Sequence, residues 1–165
     1  MEFRELIRAR YSCRKFASTP IPQEKLDAVL EAGRIAPTGH NGQPQRILVA
    51  KAGTETYEKI KECTACHFDA PVILVSCFEK GTQGHEYEDL AIVMTHIMLA
   101  AFDEGLADIW VQLVDFEKLR VLLNIPENYH IVGLMPMGYP REDARPSRLH
   151  SSRKDLSETV FYDHY

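Results

Sequence analysis

The longest apolar segment of the chain, between Tyr87 and Gly105, sets the strongest limit on how this sequence can fold. Its apolar residues recur three and four positions apart, a spacing that predicts a helix: Leu90, Val93, Met94, Ile97, Met98 and Ala101. The most apolar part, Ala91 to Phe102, is interrupted by Thr95 and His96 and is too short to cross a bilayer. The segment therefore predicts a long helix of a soluble protein.

Shorter patterns on either side predict both helices and strands, without the regular alternation of a βαβ protein. Helices are predicted for Phe3–Tyr11, Pro22–Gly33, Thr54–Glu62 and Asp115–Leu123, and strands for Arg46–Lys51, Pro71–Phe78, Ile109–Val111, Ile131–Met137 and Thr159–Tyr162. Residues 36–44 are rich in turn formers and are predicted to form a loop. The 165 residues, 45% hydrophobic and 26% charged, contain no repeat or linker, so one domain spanning 1–165 is expected.

The distribution of charge is more informative than the net charge of −5, which itself argues against a general nucleic-acid binder. Basic residues cluster within 1–15 and within 141–154, whereas the intervening 16–140 is acidic. If the two ends meet in the fold, they form one anion site on an acidic protein; otherwise they are two solvated ends. The charged start, MEFRELIRAR, has no signal-peptide pattern, which predicts a cytoplasmic protein.

The sequence Cys63-Thr64-Ala65-Cys66-His67 matches the C-x-x-C-H pattern of covalent haem attachment. Haem, a metal site and a regulatory disulfide are alternatives, although a zinc site needs about four ligands and no second ligand pair follows at the required spacing. Two ordinary cysteines are the default interpretation. The sequence contains no G-x-S-x-G elbow, no P-loop and no G-x-G-x-x-G, so neither a side-chain nucleophile nor a Rossmann pyrophosphate site is indicated.

Two polar clusters remain as candidate binding residues. Arg10, Ser12 and Arg14 follow the first predicted helix, and two guanidinium groups with a hydroxyl suit the oxygens of a phosphate. Asn41 and Gln43 lie in the 36–44 loop, and their amides offer both donors and acceptors, as the edge of a flavin ring requires.

Taken in order, the segments of this chain resemble the FMN-dependent nitroreductase family. RYSCRKF resembles the family's R-R-S-x-R-x-F opening, and APTGHNGQPQRILV resembles its A-P-S/T-x-x-N-x-Q-P-W loop and strand. DAPVILVSC resembles the next strand, and DLAIVMTHIMLAAFDEGLADIW the central helix with its G-L-G-x-x-W exit. GLMPMGYP and SRKDLSETVFYD resemble the A-L-x-x-G-Y-P and basic C-terminal segments. The matches run in the family's order from residue 4 to 163, which makes the resemblance specific.

The resemblance implies an α+β fold, with a central mixed or antiparallel sheet flanked by helices. It also implies an intertwined homodimer that binds two FMN molecules at the subunit interface. By position, the resemblance assigns three groups of flavin-binding residues. Arg10, Ser12, Arg14 and Arg153 (or Lys154 in its place) would hold the phosphate; Thr38, Asn41 and Gln43 would approach the ring from the partner subunit; Trp110, Val111, Gln112 and Gly138 would lie beside the ring.

The implied activity is a ping-pong transfer of electrons from NAD(P)H through flavin N5 to a nitroaromatic, a quinone or a similar small acceptor. No side chain is assigned as catalytic and no metal is expected, because the flavin carries the chemistry. The alternative is an FMN-binding protein with little turnover, in a flavin-binding or sensory role. Neither nucleic acid nor a membrane is expected as a partner.

Overall fold

The sheet at the centre of the fold is antiparallel throughout. The computed structural model describes residues 2–81 and 84–164, and these form four strands in the spatial order β1-β2-β4-β3. The strands are β1 (Gln45–Lys51), β2 (Val72–Glu79), β3 (Ala107–Asp108) and β4 (Tyr129–Gly138). The predicted α+β fold with a central sheet is therefore confirmed, and the sheet is of the antiparallel kind.

Five α-helices in the described ranges surround this sheet: α1 (Phe3–Ala9), α2 (Gln23–Arg34), α3 (Glu55–Lys61), α4 (Glu86–Asp103) and α5 (Phe116–Leu123). Two of them begin at N-caps, Thr54 and Asp115, which are the first residues of the helices predicted there. The Thr54 hydroxyl accepts a hydrogen bond from the Tyr57 N–H at 3.2 Å, and the Asp115 carboxylate accepts from the Lys118 N–H at 3.0 Å. Each cap satisfies a backbone donor that the first helical turn leaves free.

The helices cover both faces of the sheet. Successive residues of β2 point to opposite faces, so Ile73 packs in a core with α3 and α5, whereas Leu74 packs in a second core with α2 and α4. Helices α2 and α4 approach closely at Gly33, where a Cβ would lie 2.7 Å from the Ile97 Cδ1 atom. Each leucine-sized side chain that these cores remove from water contributes roughly 1.5–3 kcal/mol. None of the helices in the described ranges is long and apolar enough to span a membrane.

Two of the predicted strands are wrong, and α1 is shorter than predicted. Helix α1 ends at Ala9 rather than Tyr11, because Arg10 turns into an extended conformation. The strand predicted for Ile109–Val111 is replaced by the two-residue β3 and one isolated bridge between Val111 and Leu134. The Ile109 N–H donates to the Pro136 carbonyl, but proline has no N–H with which to return the bond, so the ladder breaks there.

The strand predicted for Thr159–Tyr162 is also absent from the described part of the chain. A 3-10 turn over Leu156–Glu158 precedes residues 159–162, and the backbone of residues 159–162 pairs with none of the described strands. A reciprocal cap between Asp155 and Glu158 starts this turn. The segment that follows is exposed, so its run of apolar residues does not reflect burial within one chain.

Candidate functional site

The two basic ends of the chain lie against each other. The Ala17 N–H donates to the Tyr139 carbonyl at 2.9 Å, and the Arg141 N–H donates to the Lys15 carbonyl at 3.1 Å. Lys15 Nζ lies 2.7 Å from Asp143 Oδ2. The ends therefore meet over residues 12–17 and 139–145, as the anion-site alternative requires.

A cavity of about 330 Å³, here called the terminal cavity, opens at this junction. Its lining combines residues from both ends: Ser12, Arg14, Lys15, Asp143, Ala144, Arg145 and Ser147. Two predicted phosphate ligands, Ser12 and Arg14, are thus brought together in it. Arg145 and Ser147 were not predicted as ligands, although the basic cluster that contains Arg145 was a signal for them.

The arginines of the terminal cavity keep their positive charge available. Arg145 Nη1 donates to the carbonyl oxygens of Glu142 and Ala144, both at 2.7 Å, and Arg14 Nη1 lies 3.4 Å from the Ser12 carbonyl. Lys15 is instead neutralised by Asp143, whose pKa is lowered to about 2 by its hydrogen bonds from Arg141 and Lys15. Among the described residues, these two guanidinium groups bond only to carbonyls. Together with the hydroxyl groups they form a donor set that suits a phosphate.

The other predicted phosphate ligands lie outside this lining. Arg10 caps the end of α1, close enough to the buried Asp108 for its charge to lower the pKa of that carboxyl group. Burial has the larger and opposite effect and raises the pKa of Asp108 to about 7. Arg153 is exposed, and its guanidinium donates to the carbonyl oxygens of Leu149 and Ser152 at 3.2 and 2.7 Å. Lys154 is exposed as well.

The 36–44 loop has a strained backbone conformation that hydrogen bonds hold in place. His40, Asn41 and Gln43 have positive φ angles of 48°, 58° and 48°, a region that non-glycine residues rarely adopt. The Gln43 N–H donates to the Thr38 hydroxyl at 3.1 Å, and the Gly39 N–H donates to Asp89 Oδ1 on α4 at 2.7 Å. Asp89 is buried, and nothing in the sequence distinguishes it from the other acidic residues of 16–140.

The segment predicted to lie beside a flavin ring crosses β4. The Val111 N–H donates to the Leu134 carbonyl at 2.8 Å and the Leu134 N–H returns the bond at 2.9 Å, so this amide of Val111 is already engaged. Gln112 Nε2 donates to the Tyr87 hydroxyl at 3.3 Å, and these two side chains line a cavity of about 370 Å³ with Trp110.

Gly138 is buried at the end of β4, where it packs against Pro71. A Cβ at position 138 would lie 2.5 Å from Pro71 Cδ. Close packing alone therefore accounts for this glycine, whether or not a ligand approaches it.

The cysteine motif is part of the core beneath α3. All four cysteines are free, and Cys63 is buried with its thiol 3.4 Å from the Lys59 carbonyl that it bonds. Burial raises the pKa of Cys63, which disfavours the thiolate that ligates a metal or attacks a disulfide. The described residues contain no group of three or more side chains placed to hold a metal ion. The packing thus favours the interpretation as ordinary cysteines.

Comparison with known proteins identifies the family of the chain. The model of the nitroreductase family matches residues 7–72 and 65–139. This chain belongs to the nitroreductase family. Nitroreductase-family membership accounts for the order in which its segments occur, from the RYSCRKF opening to the GLMPMGYP strand.

Three proteins are similar to this nitroreductase-family chain over most of their length. It is 30% identical, over 91% of its length and 86% of the relative, to a protein of Methanothermobacter thermautotrophicus whose name suggests NADH dehydrogenase or NAD(P)H nitroreductase activity. The crystal structure of a nitroreductase family protein from Clostridium difficile 630 covers all of both chains with a TM-score of 0.91 and 35% identity. A nitroreductase from Bacteroides fragilis with bound FMN matches with a TM-score of 0.83 and 25% identity, over 99% of this chain and 100% of that one.

Proposed function

We propose that this protein is a homodimeric, FMN-dependent oxidoreductase of a single 165-residue domain that takes electrons from NAD(P)H and reduces a small acceptor. The observation that carries the proposal is the terminal cavity, where the two ends of an acidic chain assemble an arginine-rich donor set. FMN is the flavin with a single terminal phosphate, so a cavity suited to one phosphate fits it. The FMN-bound relative from Bacteroides fragilis supports the same cofactor.

When bound, FMN would supply the redox chemistry, hydride acceptance followed by electron transfer to an acceptor. The residues of this chain orient the cofactor. Ser12, Arg14 and Arg145 hold the phosphate through charge-assisted hydrogen bonds, with Arg10 and Arg153 as further candidates. Thr38, Asn41 and Gln43 contact the ring from the partner subunit, and Trp110–Gln112 with Gly138 line its other side.

Large exposed apolar side chains support a homodimer. Ile92 lies on the outer face of α4 and is 40% exposed, and Leu156 and Tyr162 in the C-terminal segment are 70% and 76% exposed. Such side chains rarely remain in water when they are concentrated on one surface. In the proposed dimer, the outer face of α4 and the C-terminal segment pack on the second copy, which completes the flavin site.

A nitroaromatic, a quinone or a similar planar molecule is the proposed acceptor. The cavity formed by Tyr87, Trp110 and Gln112 is bordered by aromatic rings, since Phe78 and Tyr87 meet edge to face with centroids 6.3 Å apart. Aromatic walls favour planar, electron-poor ligands through stacking. A cytoplasmic location, where NAD(P)H is available, is part of the proposal.

The first test is the absorption spectrum of the purified protein, repeated on the supernatant after heat denaturation. Released FMN supports non-covalent binding, and NAD(P)H oxidation with quinone or nitroaromatic acceptors separates an enzyme from a flavin-binding protein with little turnover. Arg14→Ala should raise the Kd for FMN by about ten- to a hundredfold, the value of one hydrogen bond to a charged group. Arg34→Ala, which removes an exposed arginine paired with Glu31 on α2, is the matched control. Equal FMN affinity in both variants would refute the phosphate assignment.

A further inference from the structure

Asp108 is a buried acid that the proposed function does not use. Its side chain is 1% exposed, and neither carboxylate oxygen has a hydrogen-bond partner among the described residues. Leaving a charged carboxylate in such a place is costly, because burial removes its hydration without replacing it. The position of Asp108 therefore calls for an explanation beyond packing.

The backbone of Asp108 pairs with the segment that borders the terminal cavity. It forms an isolated parallel bridge with Ser12, one of the cavity's lining residues, and its carbonyl accepts the Cys13 N–H at 2.8 Å. Arg10 supplies the positive charge that acts on its carboxyl group. A phosphate bound beside Ser12 would therefore place negative charge close to the residue that Ser12 pairs with, Asp108.

The remaining surroundings of Asp108 are largely apolar. The Cys13 thiol, which interacts with the Tyr11 hydroxyl, is the other titratable group near it. On β4, residues 131–138 carry no charged side chain. The C-terminal half of α4 leads to β3, and its titratable side chains are those of His96 and Asp103, both exposed, and of the C-capping Glu104. Glu104 pairs with Lys25 at 3.7 Å.

We infer that Asp108 is a positioning residue that takes up a proton when a phosphate-bearing flavin binds, and so couples FMN retention to pH. The inference rests on the proposed function. Binding adds the negative charge of the phosphate beside Ser12, the residue that pairs with the buried and unpartnered Asp108. This charge favours the neutral form of a buried carboxyl group, so a proton passes from solvent to an Asp108 oxygen.

The expected direction follows from this linkage. Near neutral pH the free protein contains both forms of Asp108, because its pKa lies at about 7. Above that pH, binding must add a proton, so the Kd for FMN rises with pH by up to about tenfold per pH unit. Ionisation of the phosphate itself, with a second pKa near 6, acts at lower pH and in the opposite direction.

The test compares FMN binding by the full-length apoprotein in three forms, by flavin fluorescence between about pH 7 and 9. Asp108→Asn carries a permanently neutral group of the same shape. Glu142→Gln is the matched control, because it removes an exposed acid next to the cavity residue Asp143. The wild type and Glu142→Gln should lose affinity as pH rises, whereas Asp108→Asn should show a flat profile. At pH 9 the Asp108→Asn variant should bind FMN about tenfold or more tightly than the wild type.

Calorimetry of the wild type at pH 8 gives a second measurement that does not depend on a variant. In buffers of different ionisation enthalpy, FMN binding should take up close to one proton. The same pH profile in Asp108→Asn and the wild type, or no proton uptake, would overturn the inference while leaving FMN binding intact. Failure of the wild type to bind FMN at any pH would overturn the proposed function and the inference with it.

Discussion

At the scale of single residues, Gly133 shows how a backbone position controls the candidate ring site. A Cβ at position 133 would lie 2.5 Å from Trp110 Nε1 and 2.8 Å from the Val111 carbonyl oxygen. Only a residue without a side chain lets Trp110 lie flat on β4. The indole Nε1 is buried there without a hydrogen-bond partner among the described residues, so close packing alone fixes the ring.

Gly133→Ala should therefore displace Trp110 and lower the free energy of unfolding by about 1–3 kcal/mol, the usual cost of overpacking. Urea unfolding measures the loss, and the emission of Trp110, the single tryptophan of the chain, reports its displacement. Gly138→Ala is a matched control, because its Cβ would meet Pro71 instead. That variant should lose stability with an unchanged emission maximum. An unchanged emission in Gly133→Ala would show that the indole does not depend on this glycine.

At the scale of elements, the contact between α4 and the 36–44 loop orients the predicted ring ligands. Asp89 is buried in the first turn of α4 and accepts the Gly39 N–H at 2.7 Å. The loop continues through the positive φ angles of His40 and Asn41, which cost energy and need support from such contacts. The helix thus holds a strained loop in the conformation that presents Asn41.

Asp89→Ala should release this loop, because a hydrogen bond to a charged group contributes about 1.5–3 kcal/mol. We expect faster amide hydrogen exchange for residues 39–43 and a weaker affinity for FMN by about tenfold. Glu88→Gln removes a neighbouring exposed acid from the same helical turn and should change neither quantity. Unaltered exchange in the Asp89→Ala variant would show that the loop is held by its internal hydrogen bonds alone.

Elements with local signals were predictable from the sequence, and those that depend on distant partners were not. Helices α3 and α5 follow from their caps at Thr54 and Asp115, and α4 follows from its apolar spacing. Strand β3 is two residues long because of Pro136, which lies on a different strand. The sequence of residues 109–111 therefore does not show that the strand ends at Asp108.

The same distinction applies to the candidate site. Ser12 and Arg14 lie two positions apart and were recognisable as a pair of donors. Arg145 joins them only because residues 139–145 fold back on residues 12–17. The burial of Asp108 depends likewise on the packing of several elements, and the sequence alone shows only one acid among many.

At the scale of the whole molecule, the described chain leaves apolar surface uncovered on one side. The outer face of α4 carries the exposed Ile92, while its inner face packs on α2 and the sheet. On the opposite face of the sheet, α5 exposes Val121 as an isolated apolar side chain. If a second copy covers the outer face of α4, a charge placed on that face blocks assembly, whereas a charge on α5 does not.

The wild type should therefore sediment at twice the chain mass of 18.8 kDa. Ile92→Glu should sediment as a monomer, because burying an unpaired carboxylate in an interface costs several kcal/mol. It should also lose FMN, since the proposed ring site includes Asn41 and Gln43 of the partner subunit. Val121→Glu adds the same charge on the opposite layer and should remain a flavin-loaded dimer.

A wild-type monomer would refute the homodimer, and a dimeric Ile92→Glu would place the interface away from α4. Because FMN content and mass are measured on the same samples, a monomer that retains FMN would show that one chain alone completes the flavin site.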